Sequence, residues 1–406
     1  LKSNAGITGL AARLAYRGPQ IFRDGFRVFF PAAALWAVVS VALWFVVLVS
    51  GVWLPFAVDA LSWHSHEALF GFIPAAVAGF LLTAIPNWTG RLPVRGGSLA
   101  LLFLLWVLGR LGMLFGGVTG LAVGAALDLM FLPALIFVIL REIVAGKNWR
   151  NLPVAAGPTV LFLANLVFHL EYWGVVEGEG LGLCLGISAI LMLIGLIGGR
   201  IIPSFTRNWL VKRKADSLPA PFGRFDRSVL GVTLLSLLIW IIWPESRAAG
   251  VALLVAGALN ACRLARWLGL LTRSEPLLWV LHLAYAWLVL GLVLLGLAQL
   301  SFVIAENAAI HALTAGAMGT MILAVMTRAS LGHTGRPLTA GPGTTGIFWL
   351  VTLGAALRVS AAAFDAAYQT VLTAGAVAWI GAFVLFLWLY CPLLWRRAAE
   401  VQAAEA

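Results

Sequence analysis

Charged residues are scarce in this sequence. Only 11% of its 406 residues are Asp, Glu, Lys or Arg, while 62% are hydrophobic. A soluble domain carries roughly a quarter charged residues, because its surface meets water. That scarcity excludes an ordinary soluble globular chain. Cysteine is nearly absent as well. Cys184, Cys262 and Cys391 lie within or beside apolar runs and form no CxxC pattern, which excludes a disulfide framework. Acidic residues number 16 against 27 basic ones, a formal net charge of +11. In a soluble chain that excess would suggest nucleic acid. In a membrane protein basic residues first report topology, so no nucleic-acid partner is expected. No basic n-region, short h-region and A-x-A site opens the chain, so no cleaved signal is expected.

Long apolar runs are what the sequence has. They recur at about 31–53, 64–86, 98–115, 119–141, 153–174, 180–202, 228–244, 248–270, 277–300, 307–327, 345–363 and 370–395. Each suffices to cross a hydrocarbon core of about 30 Å. Backbone polar groups in lipid must be satisfied within the segment, so each run reads as a helix. The fold class is therefore all-α integral membrane, with twelve transmembrane helices. Residues 1–27 read as a cytoplasmic basic arm or interfacial helix, 28–397 as the membrane domain and 398–406 as a cytoplasmic tail. With the N-terminus inside, 24 of the 27 basic residues fall in the tails and inner turns. The exceptions are Arg110, Arg247 and Arg358. This asymmetry follows the positive-inside rule. It places both termini in the cytoplasm and the protein in a bacterial inner membrane, with membrane lipid as its first partner.

Spans 2 and 10 share a pattern. His66 and His311 each precede a glycine by five residues, Gly71 and Gly316. Each precedes a Thr-Gly-Arg by 23 residues, Thr89-Gly90-Arg91 and Thr334-Gly335-Arg336. Arg110 on span 3 matches Arg358 on span 11. Spans 1–4, 5–8 and 9–12 thus read as three four-helix repeats. Repeats in membrane proteins often place a site at their interface.

Six histidines carry the chemistry: His64, His66, His169, His282, His311 and His333. Ionisable groups inside a membrane are costly and mark functional sites by default. The topology puts His64, His66, His169 and His311 in the outer half. Neutral imidazole ligates both metals and haem, so all six are metal candidates. A haem held by His66 and His311, with Arg110 and Arg358 on its propionates, accounts for four anomalies together; paired guanidinium contacts suit carboxylates. His64 lies about 200° round the helix from His66. With His169 and Glu67 or Cys184 it forms a candidate copper set. Against this stand plainer readings: His282 as a packing residue, His333 as a solvated loop residue, and Arg110 and Arg358 as snorkelling side chains. Asp128, inside span 4, either pairs with an arginine or reaches polar backbone, and acquires no further role. The segment from Arg200 to Asn208 is a candidate quinone or anion site, or simply a basic loop.

Four motifs resemble the NnrS family over nearly the whole chain. They are Trp63-His64-Ser65-His66-Glu67, Pro86-Asn87-Trp88-Thr89-Gly90-Arg91, the stretch from Gly199 to Asn208, and the stretch from Met326 to Pro337. The resemblance implies a haem- and copper-containing bacterial membrane protein linked to nitric oxide and nitrosative stress, with haem b and copper as cofactors. The architecture also resembles the catalytic subunit of haem–copper oxidases and nitric oxide reductases, which hold a low-spin haem between helices 2 and 10 in a pseudo-threefold arrangement. Spans 6 and 7 here lack the histidines that those enzymes use for their second metal. The expected function is nitric oxide handling through a haem near the outer face, with a quinol or another electron donor as partner. The alternatives are a transporter of a small substrate and a haem-based sensor without turnover.

Overall fold

A computed structural model describes residues 16–396 apart from 179 and 302–303, and leaves out the side chain of Asp365. The expected tail at 398–406, and most of the expected arm at 1–27, lie outside the described residues. Among the described residues the protein is helical, with no strand. Twelve helices are long and apolar enough to cross a membrane. They are α1 (Gly25–Ser50), α2 (Ala60–Thr89), α3 (Gly97–Thr119), α4 (Leu121–Ala145), α5 (Trp149–Tyr172), α6 (Leu181–Lys212), α7 (Arg224–Ile242), α8 (Arg247–Ala265), α9 (Pro276–Leu300), α10 (Glu306–His333), α11 (Pro342–Ala363) and α12 (Tyr368–Trp395). This is the expected set, and the molecule is an integral membrane protein. Large apolar side chains such as Leu101, Phe137, Trp349 and Trp388 lie exposed on the helices, as a lipid-facing surface requires.

Two boundaries differ from the sequence reading, for one reason. Helix α6 runs on to Lys212, so Arg200 to Asn208 is helix and not loop; α10 likewise runs on to His333. Their last turns are polar, and an apolar-run criterion stops where the side chains become wet, whereas the backbone hydrogen bonds continue.

Local chemistry sets the ends. Asp59 caps α2, its carboxylate accepting from the backbone N–H of Leu61 and Ser62 at 3.1 and 3.0 Å, as N-cap side chains do. Glu275 caps α9 in the same way, with Pro276 next to it. Gly90 ends α2 in the left-handed region at φ 70°, where a residue without Cβ is unstrained.

Three helices contain a π-helical stretch: Glu67–Phe72 in α2, Ile194–Gly198 in α6 and Ala312–Met318 in α10. They fall four spans apart, and two directly follow His66 and His311. A π turn frees a carbonyl from the i→i+4 ladder and is common at functional sites.

The chain forms two compact units. The first comprises 16–182, 329–336 and 387–396; the second comprises 183–328 and 337–386. In the first, α1 packs on α2, α3 on α4, and α4 on both α2 and α5. In the second, α8 lies between α7 and α9, and the π stretch of α10 packs on α9 and α11.

Candidate metal centre

The first unit buries two histidines together with four other ionisable or amide side chains. His66, Glu67, Arg110, Asp128, Asn165 and His169 are each at most 3% exposed. Their positions follow from the helices. His66 and Glu67 sit where α2 turns into its π stretch. Asn165 and His169 are four residues apart on α5, hence on one face. Asp128 ends the first segment of α4, just before a break at Leu129–Met130. Helices α3 and α4 meet only through Gly120 and approach closely. A Cβ on Gly109 would lie 3.0 Å from the Asp128 Cα, and one on Gly112 3.0 Å from the Gly124 carbonyl. That approach sets Asp128 beside Arg110.

The polar contacts form one network. Asp128 Oδ2 lies 3.1 Å from His66 Nε2 and 3.0 Å from His169 Nε2, and accepts from Asn165 Nδ2 at 2.7 Å. Asn165 Oδ1 faces His66 Nε2 at 2.9 Å. Arg110 bridges the two carboxylates, donating through Nη1 to Glu67 and through Nη2 to Asp128. Glu67 Oε1 faces His66 Nδ1 at 3.0 Å, and Glu67 Oε2 accepts from the Trp36 indole at 2.6 Å. Trp106 donates to the carbonyl of Gly71, inside the π stretch, at 2.9 Å. A Cβ on Gly71 would lie 2.8 Å from Trp36 Nε1 and would overlap Arg110 and Glu67. Only glycine lets the network close over α2.

Charge and donor count decide what this arrangement can do. With both imidazoles neutral, two carboxylates face one guanidinium, and the cluster is one negative charge in excess. Buried charge must be compensated. Both nitrogens of His66 face acceptor oxygens. The ring satisfies them doubly protonated, or as the Nδ1–H form with a cation on Nε2. His66, Asp128 and His169 each offer one ligand atom, all within 4.8 Å of one another; among the described residues they are the one group of three such ligands. Spacings near 3.0 Å match adjacent ligands about one ion at about 2.1 Å. Glu67 behind His66 supplies the carboxylate–histidine support common at metal sites.

The fit differs for haem. Both ring nitrogens of His66 are closed by neighbouring oxygens, and its ring centroid lies 4.9 Å from Phe168 and 5.4 Å from His169. A porphyrin face does not fit on this side chain as it is packed. Arg110, expected on haem propionates, holds the protein's own carboxylates instead.

The other sequence candidates are dispersed. His64 stacks on Trp44 at 5.0 Å and is not in the His66–Asp128–His169 group; His169 meets His66, not His64. His282 is buried, with Nδ1 3.0 Å from the Leu278 carbonyl and Nε2 3.3 Å from Thr206 Oγ1. Among the described residues, no carboxylate or thiol joins it in such a group. His333 ends α10 with its ring 5.5 Å from Phe26. His311 is half-buried in the second unit and directs Nδ1 to the Asn307 carbonyl at 2.7 Å. Arg358 is half-buried on α11. Sequence reasoning missed Asp128 and Asn165. A lone carboxylate within an apolar run, and an Asn one turn before a histidine, were the available signals.

A model of the NnrS family, described as NnrS protein, matches residues 20–397. The chain belongs to the NnrS family. Comparison with curated proteins gives no match. Membership links the chain to the nitric oxide response in general terms and agrees with metal or haem binding. The four motifs that suggested the NnrS family all lie within the matched residues.

The second unit holds a buried cluster of its own. Arg263, fully buried, donates to Asp226 at 2.9 Å, to the Gly195 carbonyl at 2.9 Å and to the Tyr285 hydroxyl at 3.0 Å. Tyr285 donates to Asn260 at 2.6 Å, and Asn260 to Thr233 at 2.8 Å. Gly195 lies in the π stretch of α6, as Gly71 does in that of α2. Asp226 also lies 3.8 Å from the half-buried Arg266, so one acid faces two bases here, and no histidine is among these contacts.

Proposed function

We propose that this protein acts in the nitric oxide response through a single transition-metal ion held by His66, His169 and Asp128. The observation that carries this is the pair of imidazole nitrogens at 3.1 and 3.0 Å from one buried carboxylate oxygen. Asn165 adjoins the same set. The donor set of imidazole and carboxylate suits copper, iron or zinc, and copper is the ion the family resemblance implies. A redox-active ion supplies one-electron chemistry and a position where a small ligand such as nitric oxide binds. The chain's own groups do the rest. Glu67 accepts from His66 Nδ1–H and fixes its ring. Arg110 and Trp36 hold Glu67. Phe70 and Phe168, with ring centroids 5.3 and 4.9 Å from that of His66, exclude water.

A haem would be held by His311, whose Nδ1–H donates to the Asn307 carbonyl; such a contact fixes the ring and the tautomer of a ligating histidine. The two cofactors then belong to different units: the ion to the first, the haem to the second. The protein sits in the inner membrane with both termini cytoplasmic and takes electrons from a quinol or an equivalent donor.

Metal and haem analysis with optical and paramagnetic spectra tests this on the wild type and four variants. His66→Ala, His169→Ala and Asp128→Asn are expected to lose the ion and keep the haem; His311→Ala is expected to lose the haem and keep the ion. Unchanged metal content in both His66→Ala and His169→Ala overturns the assignment.

A further inference from the structure

At the other end of α2 and α4 the first unit carries a second built feature. Glu142 is buried, its side chain 9% exposed, between two arginines that are 44% and 46% exposed. Arg91 Nε donates to Oε2 at 2.6 Å; Arg141 donates through Nε and Nη2 to Oε1 at 2.9 and 2.7 Å. The carboxylate thus holds both guanidiniums in place while half of each faces outward. One acid against two bases leaves a positive charge at the surface. The loop that carries Arg91 also carries Arg95, and the turn after α4 carries Lys147 and Arg150, with no further acid in 90–96 or 143–150. Asn148 donates to the Trp88 carbonyl and ties the two loops together.

A cavity of about 280 Å³ opens over Arg91, Arg141 and Glu142. Behind it Leu82, Ile85, Pro86, Leu92, Val94 and Val138 close around a gap of only about 10 Å³, the room of a single water. The two share Leu92, Val94 and Glu142. Helix α2 ends at Thr89 and α4 at Ala145, so the charged mouth lies where a spanning helix meets the headgroup layer. Paired guanidiniums recognise phosphate oxygens through charge-assisted hydrogen bonds. Basic pockets between transmembrane helices at this level take anionic lipid heads. We propose that Arg91 and Arg141, held by Glu142, bind the phosphate of an anionic phospholipid. The charge selects the anion, and the place at the headgroup layer selects an amphiphile over a free ion. This does not rest on the metal reading.

The test uses the full chain, delipidated in neutral detergent. Phosphatidylglycerol, phosphatidylcholine and inorganic phosphate are added separately, with bound lipid counted by native mass spectrometry and Tm read alongside. Phosphatidylglycerol is expected to bind and raise Tm above the phosphatidylcholine value. R91Q/R141Q is expected to lower phosphatidylglycerol occupancy by about tenfold or more, the size of one or two lost charge-assisted hydrogen bonds. Because that variant strands Glu142, the triple variant R91Q/R141Q/E142Q keeps the amides and removes all three charges, and is expected to show the same loss. K212Q/R213Q, at the end of α6 and just after it, is expected to bind as the wild type does. Equal binding of phosphatidylcholine, an unchanged preference in the triple variant, or the same Tm rise with inorganic phosphate alone overturns the proposal.

Discussion

Two buried clusters, one in each unit, are built from nearly the same parts. Each has an arginine, an aspartate and an asparagine, and each packs against a glycine of an interrupted helix: Gly71 beneath Arg110, Gly199 beneath Arg263. They differ in what completes them. Around Asp128 stand His66 and His169, and a second carboxylate, Glu67, leaves negative charge in excess. Around Asp226 stand Tyr285, Asn260 and Thr233, and one acid meets two bases, Arg263 and the half-buried Arg266. The first calls for a cation; the second has no negative charge in excess to hold one. An arginine–aspartate pair buried in a membrane bundle is therefore no site by itself. What makes a site is unbalanced charge beside lone-pair donors.

Removing either aspartate should have the largest effect. Asp226→Ala strands the buried Arg263 guanidinium, and breaking such a pair costs about 3–5 kcal/mol; Asp128→Ala takes one of the two carboxylates from Arg110 and the shared acceptor from His66, His169 and Asn165. Both should lower Tm sharply, but bound metal should fall only in Asp128→Ala. Loss of metal in Asp226→Ala at a temperature where the protein is folded would erase the contrast.

Glycine substitutions come next. Gly71→Ala and Gly199→Ala press a Cβ onto Arg110 and Arg263, and overpacking costs about 1–3 kcal/mol. Comparable Tm losses are expected, with weakened metal binding confined to Gly71→Ala. Glu67→Gln sharpens the first cluster alone. It removes the carboxylate behind His66, so metal affinity should fall about 10–100-fold, as measured by chelator competition, while Tm changes less than in Asp128→Ala. Tyr285→Phe should be the mildest. It deletes two hydroxyl bonds, one donated to Asn260 and one accepted from Arg263, and leaves an asparagine oxygen unpaired, for about 1–2 kcal/mol, with metal content unchanged.

Most of the fold was legible in the sequence. Apolar runs and basic turns gave twelve spans, because bilayer thickness fixes helix length and charge asymmetry fixes the turns. The ends of α6 and α10 were not legible, since a helix continues into water without any apolar signal. Of the candidate centre, His66, His169 and Arg110 stood out as ionisable groups in apolar helices. Asp128 looked equally anomalous but had no partner within its own stretch of sequence. Its histidine partners lie 62 and 41 residues away, and pairing at that range is set by how helices pack.

The sequence by itself determined that this is a twelve-span membrane protein of the NnrS family and put its six histidines forward as candidates. Those properties are local: composition, run length and motif spacing. Only the tertiary structure decided which histidines lie together. Helix rotation and the close approach of α3 to α4 turn His66 towards His169 and Asp128, leave His64 stacked on Trp44 outside that group, and give Arg110 to the protein's own carboxylates.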